Sequence, residues 1–167
     1  MSSLFRSHDP FPVVEQTLDQ RRATQLLNAT MTYARLILRR YGELAPFAFS
    51  MDPEGQISRE TLEIPRLPRD PERLYKLLTE HVADRIRRNQ IQAVALAANV
   101  TLARPSQENF TDAILLTIEQ NSSHALQITV PYKIYGGQLR NLIPRRITLG
   151  QHVGVEIPPH LFPQMSS

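Results

Sequence analysis

The chain reads as an α+β domain with an antiparallel sheet of about five strands and two main helices. The order is α-β-β-α-β-β-β plus an extended C-terminal tail. Three observations predict this. Two segments place apolar residues at helical steps of three and four. Each is followed by a group of strand-like segments joined by hairpin-length links. The second group, Ile91 to Tyr132, holds three strands in a row: IQAVALAANVTL, TDAILLTIEQ and HALQITVPY.

Residues 1–15 form an N-terminal arm in which Pro10 and Pro12 oppose a helix. A single α+β domain is expected over 16–135. Its first helix spans about Asp19 to Tyr41, with Ala23, Leu26, Leu27, Thr30, Tyr33, Ala34, Ile37, Leu38 and Tyr41 on one face and Gly42 as the left-handed terminator. Phe47, Phe49 and Met51 alternate in a first strand. Asp52-Pro53-Glu54-Gly55 has the residues of a type I turn, and Gln56 to Ile64 is read as the returning strand. Pro65 and Pro68 mark a connector. Asp70-Pro71-Glu72 opens the second helix with an N-cap, a first-turn proline and a dipole-matched acid. Its stripe is Leu74, Leu77, Leu78, His81, Val82 and Ile86.

In the strand that follows both parities are apolar, which predicts a central strand buried on both faces. Pro131 is expected at a strand end or sheet edge. Residues 136–167 form a segment punctuated by glycine and proline. There, Ile147/Leu149 and Val153/Val155/Ile157 can supply one or two short strands.

Were both helices on one side of the sheet, Ala93, Ala95, Ala97, Leu115 and Ala125 would form a smooth apolar patch on the other. Such a patch needs a cover: a helix, the C-terminal segment or a second subunit. These five residues are the candidate protein interface.

The hydrophobic fraction of 41% fits a globular chain. No apolar run approaches the roughly 20 residues of a membrane span, and the N-terminus lacks the apolar core of a signal peptide, so a cytoplasmic protein without a membrane partner is expected. Cysteine is absent, which removes disulfides and thiolate metal sites. Net charge is +3, and 17 of the 19 basic residues are arginine, the side chain suited to bidentate contacts with carboxylates and phosphates. Arg39/Arg40, Arg87/Arg88 and Arg145/Arg146 are the candidate anion or nucleic-acid contacts, should they converge. The first two pairs also sit at helix C-termini, where the dipole accounts for them.

No chemistry-bearing motif is present. The five histidines (His8, His81, His124, His152 and His160) form no HxH or HxxxH pair and no HExxH motif. There is no glycine-rich phosphate loop, and no serine sits in a GxSxG elbow. Asp112 and Glu119 flank one strand with opposite parity; the first reads as a strand start and the second as solvated. No catalytic residue, cofactor or metal is therefore assigned.

The segments LAPFAFSMDPEGQI and TDAILLTIEQ…ALQITVPY resemble a group of small uncharacterised bacterial proteins that share a PF-aromatic hairpin and a "DAI…E…PY" hairpin. The resemblance covers roughly residues 20–134 and implies no activity. The element order also occurs in profilin-like and roadblock-like folds, an analogy of architecture alone. The reading that results is a non-enzymatic module that binds another protein or its own copy. The alternative is an RNA- or DNA-binding accessory protein using the arginine clusters.

Overall fold

The computed structural model describes residues 18–104, 109–121 and 125–163. The N-terminal arm at 1–15 lies outside them. Helix α1 runs from Leu18 to Tyr41. It buries Leu26, Thr30, Ala34 and Leu38, one residue per turn along a single stripe. Gly42, at φ +76°, ends it by donating its N–H to the Leu38 carbonyl at 2.8 Å. Helix α2 spans Pro71–Arg87 and repeats this pattern with Leu74, Leu78, Val82 and Ile86. Its N-cap is Asp70, whose carboxylate accepts from the Glu72 N–H at 3.3 Å. Among the described residues no helix is long and apolar enough to cross a membrane.

Strands β1 (Phe47–Met51) and β2 (Ile57–Arg59) form a hairpin. Asp52 organises the turn: its Oδ1 accepts from the N–H groups of Glu54 and Gln56 at 3.0 and 2.8 Å, and Gly55 N–H closes onto its carbonyl at 3.0 Å. The return strand is shorter than the expected Gln56–Ile64. Glu60 N–H still donates to the Ala48 carbonyl at 2.8 Å, after which the chain leaves the sheet through Pro65 and Pro68.

Strands β3 (Ala93–Thr101), β4 (Asp112–Gln120) and β5 (Ala125–Tyr135) follow as a meander. A single helical turn, α3 (Gln138–Asn141), then leads to β6 (Arg146–Leu149) and β7 (Val153–Ile157). All seven strands form one antiparallel sheet in the order β2-β1-β3-β4-β5-β6, with β7 also on β5. The C-terminal segment thus adds two strands to the five read from the sequence.

β6 and β7 lie end to end along the outer edge of β5. Tyr132 faces Leu149 and Thr129 faces Val153, so two residues of β5 oppose three between the two strands. Pro131 accounts for the break. It lies inside β5, not at an end, and its carbonyl accepts from the Gly150 N–H at 2.7 Å. Its nitrogen points the same way with no hydrogen to donate, so the edge strand cannot pair continuously past it. Glycine is required at 150, because a Cβ there would come within 2.9 Å of the Phe110 ring.

The helices lie on opposite faces of the sheet. Under α1 sit Ala93, Ala95 and Ala97 with Ile114, Leu116, Ile118, Ile128, Val130 and Tyr132. Under α2 sit Ala48, Val94 and Leu96, together with Phe162 from the C-terminal segment. β3 is buried on both faces over Ala93–Ala97, as its double apolar parity requires.

Candidate functional site

The two helices divide the sheet unequally. α1 contacts β1, β3, β4 and β6, whereas α2 rests mainly on β1 and β3. On its side of the sheet α2 reaches β4 through Tyr75, whose hydroxyl bonds the Thr117 side chain, and among the described residues β5 to β7 have no helix packed over them there. Strand alternation puts Ala98 and Val100 of β3, Leu115 of β4, Thr129 of β5 and Val153 and Val155 of β7 on this open face. The first four are partly exposed; Val153 and Val155 are 59% and 56% exposed. Tyr135, Lys133 and Arg146 border the face by the same alternation, and the Lys133 ammonium lies 4.8 Å from the Phe110 ring centroid. Among the described strand residues on this side of β3–β7, the only carboxylate is the buried Glu119.

The interface patch expected from the sequence does not form. Ala93, Ala95 and Ala97 are fully buried beneath α1, paired with Gln120, Ile118 and Leu116. Leu115 and Ala125 lie on the opposite face; Ala125 is buried, and only Leu115 remains partly exposed. Each strand's two faces can be read from its own alternation, but the phase between strands depends on the link that sets their register. In the structure even residues of β4 lie beside odd residues of β3.

The arginine pairs do not gather on one surface. Arg145 Nη1 donates to the Arg40 carbonyl at 2.9 Å and so caps the C-terminus of α1, near the exposed Arg39 and Arg40. Arg87 and Arg88 reach the Asp84 carboxylate at 3.4 and 3.2 Å. They precede the start of β3, where Ala93 faces Gln120, and Gln120 Nε2 donates to the Asp19 carbonyl in the first turn of α1. The two groups therefore lie near opposite ends of a 24-residue helix, about 36 Å long. Arg146 is exposed on the α2 side of β6.

Two buried carboxylates were not legible as such. Glu60 accepts from the Ser50 hydroxyl and the Arg85 guanidinium on Oε1 and meets His81 Nε2 at 2.9 Å on Oε2. Burial alone would raise its pKa, but the Ser50 hydroxyl, Arg85 and His81 together hold it below the ordinary carboxylate value. The order of groups does not suit a serine nucleophile. A catalytic histidine sits between serine and acid, whereas here the acid sits between serine and histidine. The cluster fastens α2 to the β1–β2 hairpin.

Glu119, read from the sequence as solvated, is fully buried. Its Oε1 accepts from the backbone N–H groups of Leu161 and Phe162 at 2.7 and 2.8 Å, while Oε2 has no hydrogen-bond partner among the described residues. The C-terminal segment thus crosses the sheet and plugs Phe162 into the α2 core.

A cavity of about 230 Å³ lies between α1 and the connector after β2, lined by Tyr33, Ile37, Leu44, Phe47, Leu62 and Leu74. Its charged wall residues are already engaged: the Arg59 guanidinium lies 5.2 Å from the Tyr33 ring centroid, and Glu60 is paired as above. Among the described residues no three His, Asp or Glu side chains group so as to hold a metal ion. No protein-family model, no curated protein and no solved structure matches this chain.

Proposed function

We propose that this protein is a non-enzymatic protein-binding module whose contact surface is the open half of the sheet beside α2. The carrying observation is the group of partly or fully exposed Ala98, Val100, Leu115, Val153 and Val155 on the α2 side of the sheet, beyond the part of β3 and β4 that α2 packs on. Exposed apolar residues grouped on a packed sheet, here on either side of Thr129 and Gln127 of β5, are characteristic of an interaction site. Tyr135, Lys133 and Arg146 at its border favour a partner with an apolar centre and an acidic rim.

Capture from cells of the source with wild type, Leu115→Glu and Leu36→Glu tests this reading. Leu36 is exposed on α1, away from the open face, and serves as the control. The expected outcome is one protein retained by wild type and Leu36→Glu and lost with Leu115→Glu, all three showing the same circular dichroism. Identical capture by all three would overturn the proposal. RNA or DNA binding that falls steeply with salt and requires Arg39 and Arg40 would favour the nucleic-acid reading instead.

A further inference from the structure

We infer that the outer edge of β7 pairs with the same edge of a second copy of this chain, antiparallel and centred on Gly154, so that two sheets join into one. This rests on the protein-binding reading only in that both place function on the same half of the sheet; the surfaces are different, an edge and a face.

The sheet's exposed edges are not equally protected. At one end β2 pairs over only three residues and carries the exposed Arg59, and the prolines of the connector follow it. At the other end β6 begins with Arg146, just after Pro144 and Arg145. Short length, cations and proline are the devices that keep an edge from pairing with another chain. β7 is the longest of the three, with five residues, it carries no cation, and its prolines, Pro158 and Pro159, come only after its end. Residues 151–157 read Gln-His-Val-Gly-Val-Glu-Ile, contain no lysine, arginine or proline, and are exposed from Gln151 through Glu156. β7 is bonded to β5 on its inner side, and among the described residues no strand pairs with its outer side.

The segment is also complementary to itself. Antiparallel pairing about Gly154 sets His152 opposite Glu156 twice, which joins a cation-capable ring to a carboxylate at both ends. It sets Val153 opposite Val155 twice, as β-branched pairs on the open-face side. Gly154 meets Gly154 at the two-fold axis with no side chain in the way. The register stops before Pro158, which has no N–H to contribute. The two-fold axis runs perpendicular to the sheet, so both open faces point to the same side. The second copy doubles that surface without covering it, and a partner with two epitopes would then bind with avidity.

The chain's lack of cysteine makes the test direct. Gly154→Cys is tolerated sterically, since a Cβ there makes only ordinary contacts of 3.6 and 3.9 Å. Opposed Cα atoms in antiparallel strands lie roughly 4.5–5.5 Å apart, within disulfide range. Mild oxidation of Gly154→Cys is expected to give a disulfide-linked dimer, and Val100→Cys on the open face is expected to form no intermolecular disulfide. Sedimentation of wild type should give twice the 19.1 kDa chain mass. Glu156→Lys should weaken the dimer about tenfold, because the change is made at two symmetric pairs, and adding His152→Glu should restore most of it.

Wild type that remains at 19.1 kDa on the order of 100 μM would overturn the inference, as would faster cross-linking through Val100→Cys than through Gly154→Cys. Neither result touches the Leu115-dependent partner. Conversely, loss of that partner's dependence on Leu115 leaves the edge dimer standing.

Discussion

Glu60 shows how a side chain in a nominally exposed hairpin strand becomes a structural ion. It reaches inward to Ser50 on β1 and to His81 and Arg85 on α2, with only 1% of its side chain exposed. Glu60→Gln removes the charge that Arg85 faces. Because Arg85 and His81 remain partly in water, the cost is expected to be about 1–3 kcal/mol in urea denaturation, below that of breaking a fully buried pair. The pH dependence follows from the lowered folded pKa. The unfolded carboxyl, with its ordinary value of 4.5, protonates before the folded one. The stabilisation is therefore complete above that value and is lost as pH falls further toward the folded pKa. Wild type should lose stability over this acid window, and Glu60→Gln should lose less. At the alkaline end the sign reverses. Burial and the Asp112 charge push the Tyr132 phenol up to about 12, so its unfolded form ionises first and stability falls as pH rises from about 10. Neither carboxylate was legible in the sequence, since nothing local distinguishes a strand-end glutamate in water from one turned inward. Phe162 offered the better signal for Glu119: an aromatic isolated among prolines has to dock somewhere.

At the level of elements, helix boundaries were readable because their signals are local. Asp70-Pro71-Glu72 opens α2 and Gly42 closes α1 as their chemistry requires. The double apolar parity of β3 likewise announced burial on both faces. The one or two short strands expected at Ile147/Leu149 and Val153/Val155/Ile157 are present as β6 and β7. What remained hidden was set by distant contacts: the phase of β4 against β3, the side of the sheet each helix takes, and the docking of both tail strands on β5. The docking of that tail is itself testable. Phe162 is buried against α2, and the two N–H groups beside it are the described partners of Glu119 Oε1. Phe162→Ala should cost about 3–5 kcal/mol by loss of a buried aromatic. Hydrogen exchange should accelerate at Leu161 and Phe162 first, ahead of the β3–β4–β5 centre, because the segment opens locally before the sheet does. Exchange that accelerates equally throughout would mean that the tail and the sheet unfold as one unit.

The whole molecule is a sheet wider than its second helix can cover. α1, with 24 residues, spans the sheet from β1 to β6; α2, with 17 residues, sits over β1 and β3 and touches β4 through Tyr75, and among the described residues the crossing tail adds cover where Leu161 and Phe162 dock. One face is thus a core, and the other is part core and part surface. The difference can be read with one chemical change made on each side of the same strand pair. Ala95 has no exposed area and lies beneath α1. A carboxylate there has neither room nor a partner, so Ala95→Glu should cost more than about 4 kcal/mol and leave the chain largely unfolded, not merely dissociated. Leu115 lies on the neighbouring strand but on the open side, and it is partly exposed. Leu115→Glu can keep its charge in water, so its cost should stay within about 1.5 kcal/mol, the part of the leucine surface that was buried. Urea denaturation of the two variants checks this. A Leu115→Glu protein as unstable as Ala95→Glu would mean that something already covers the open face, and the binding surface would then have to be sought elsewhere on the molecule.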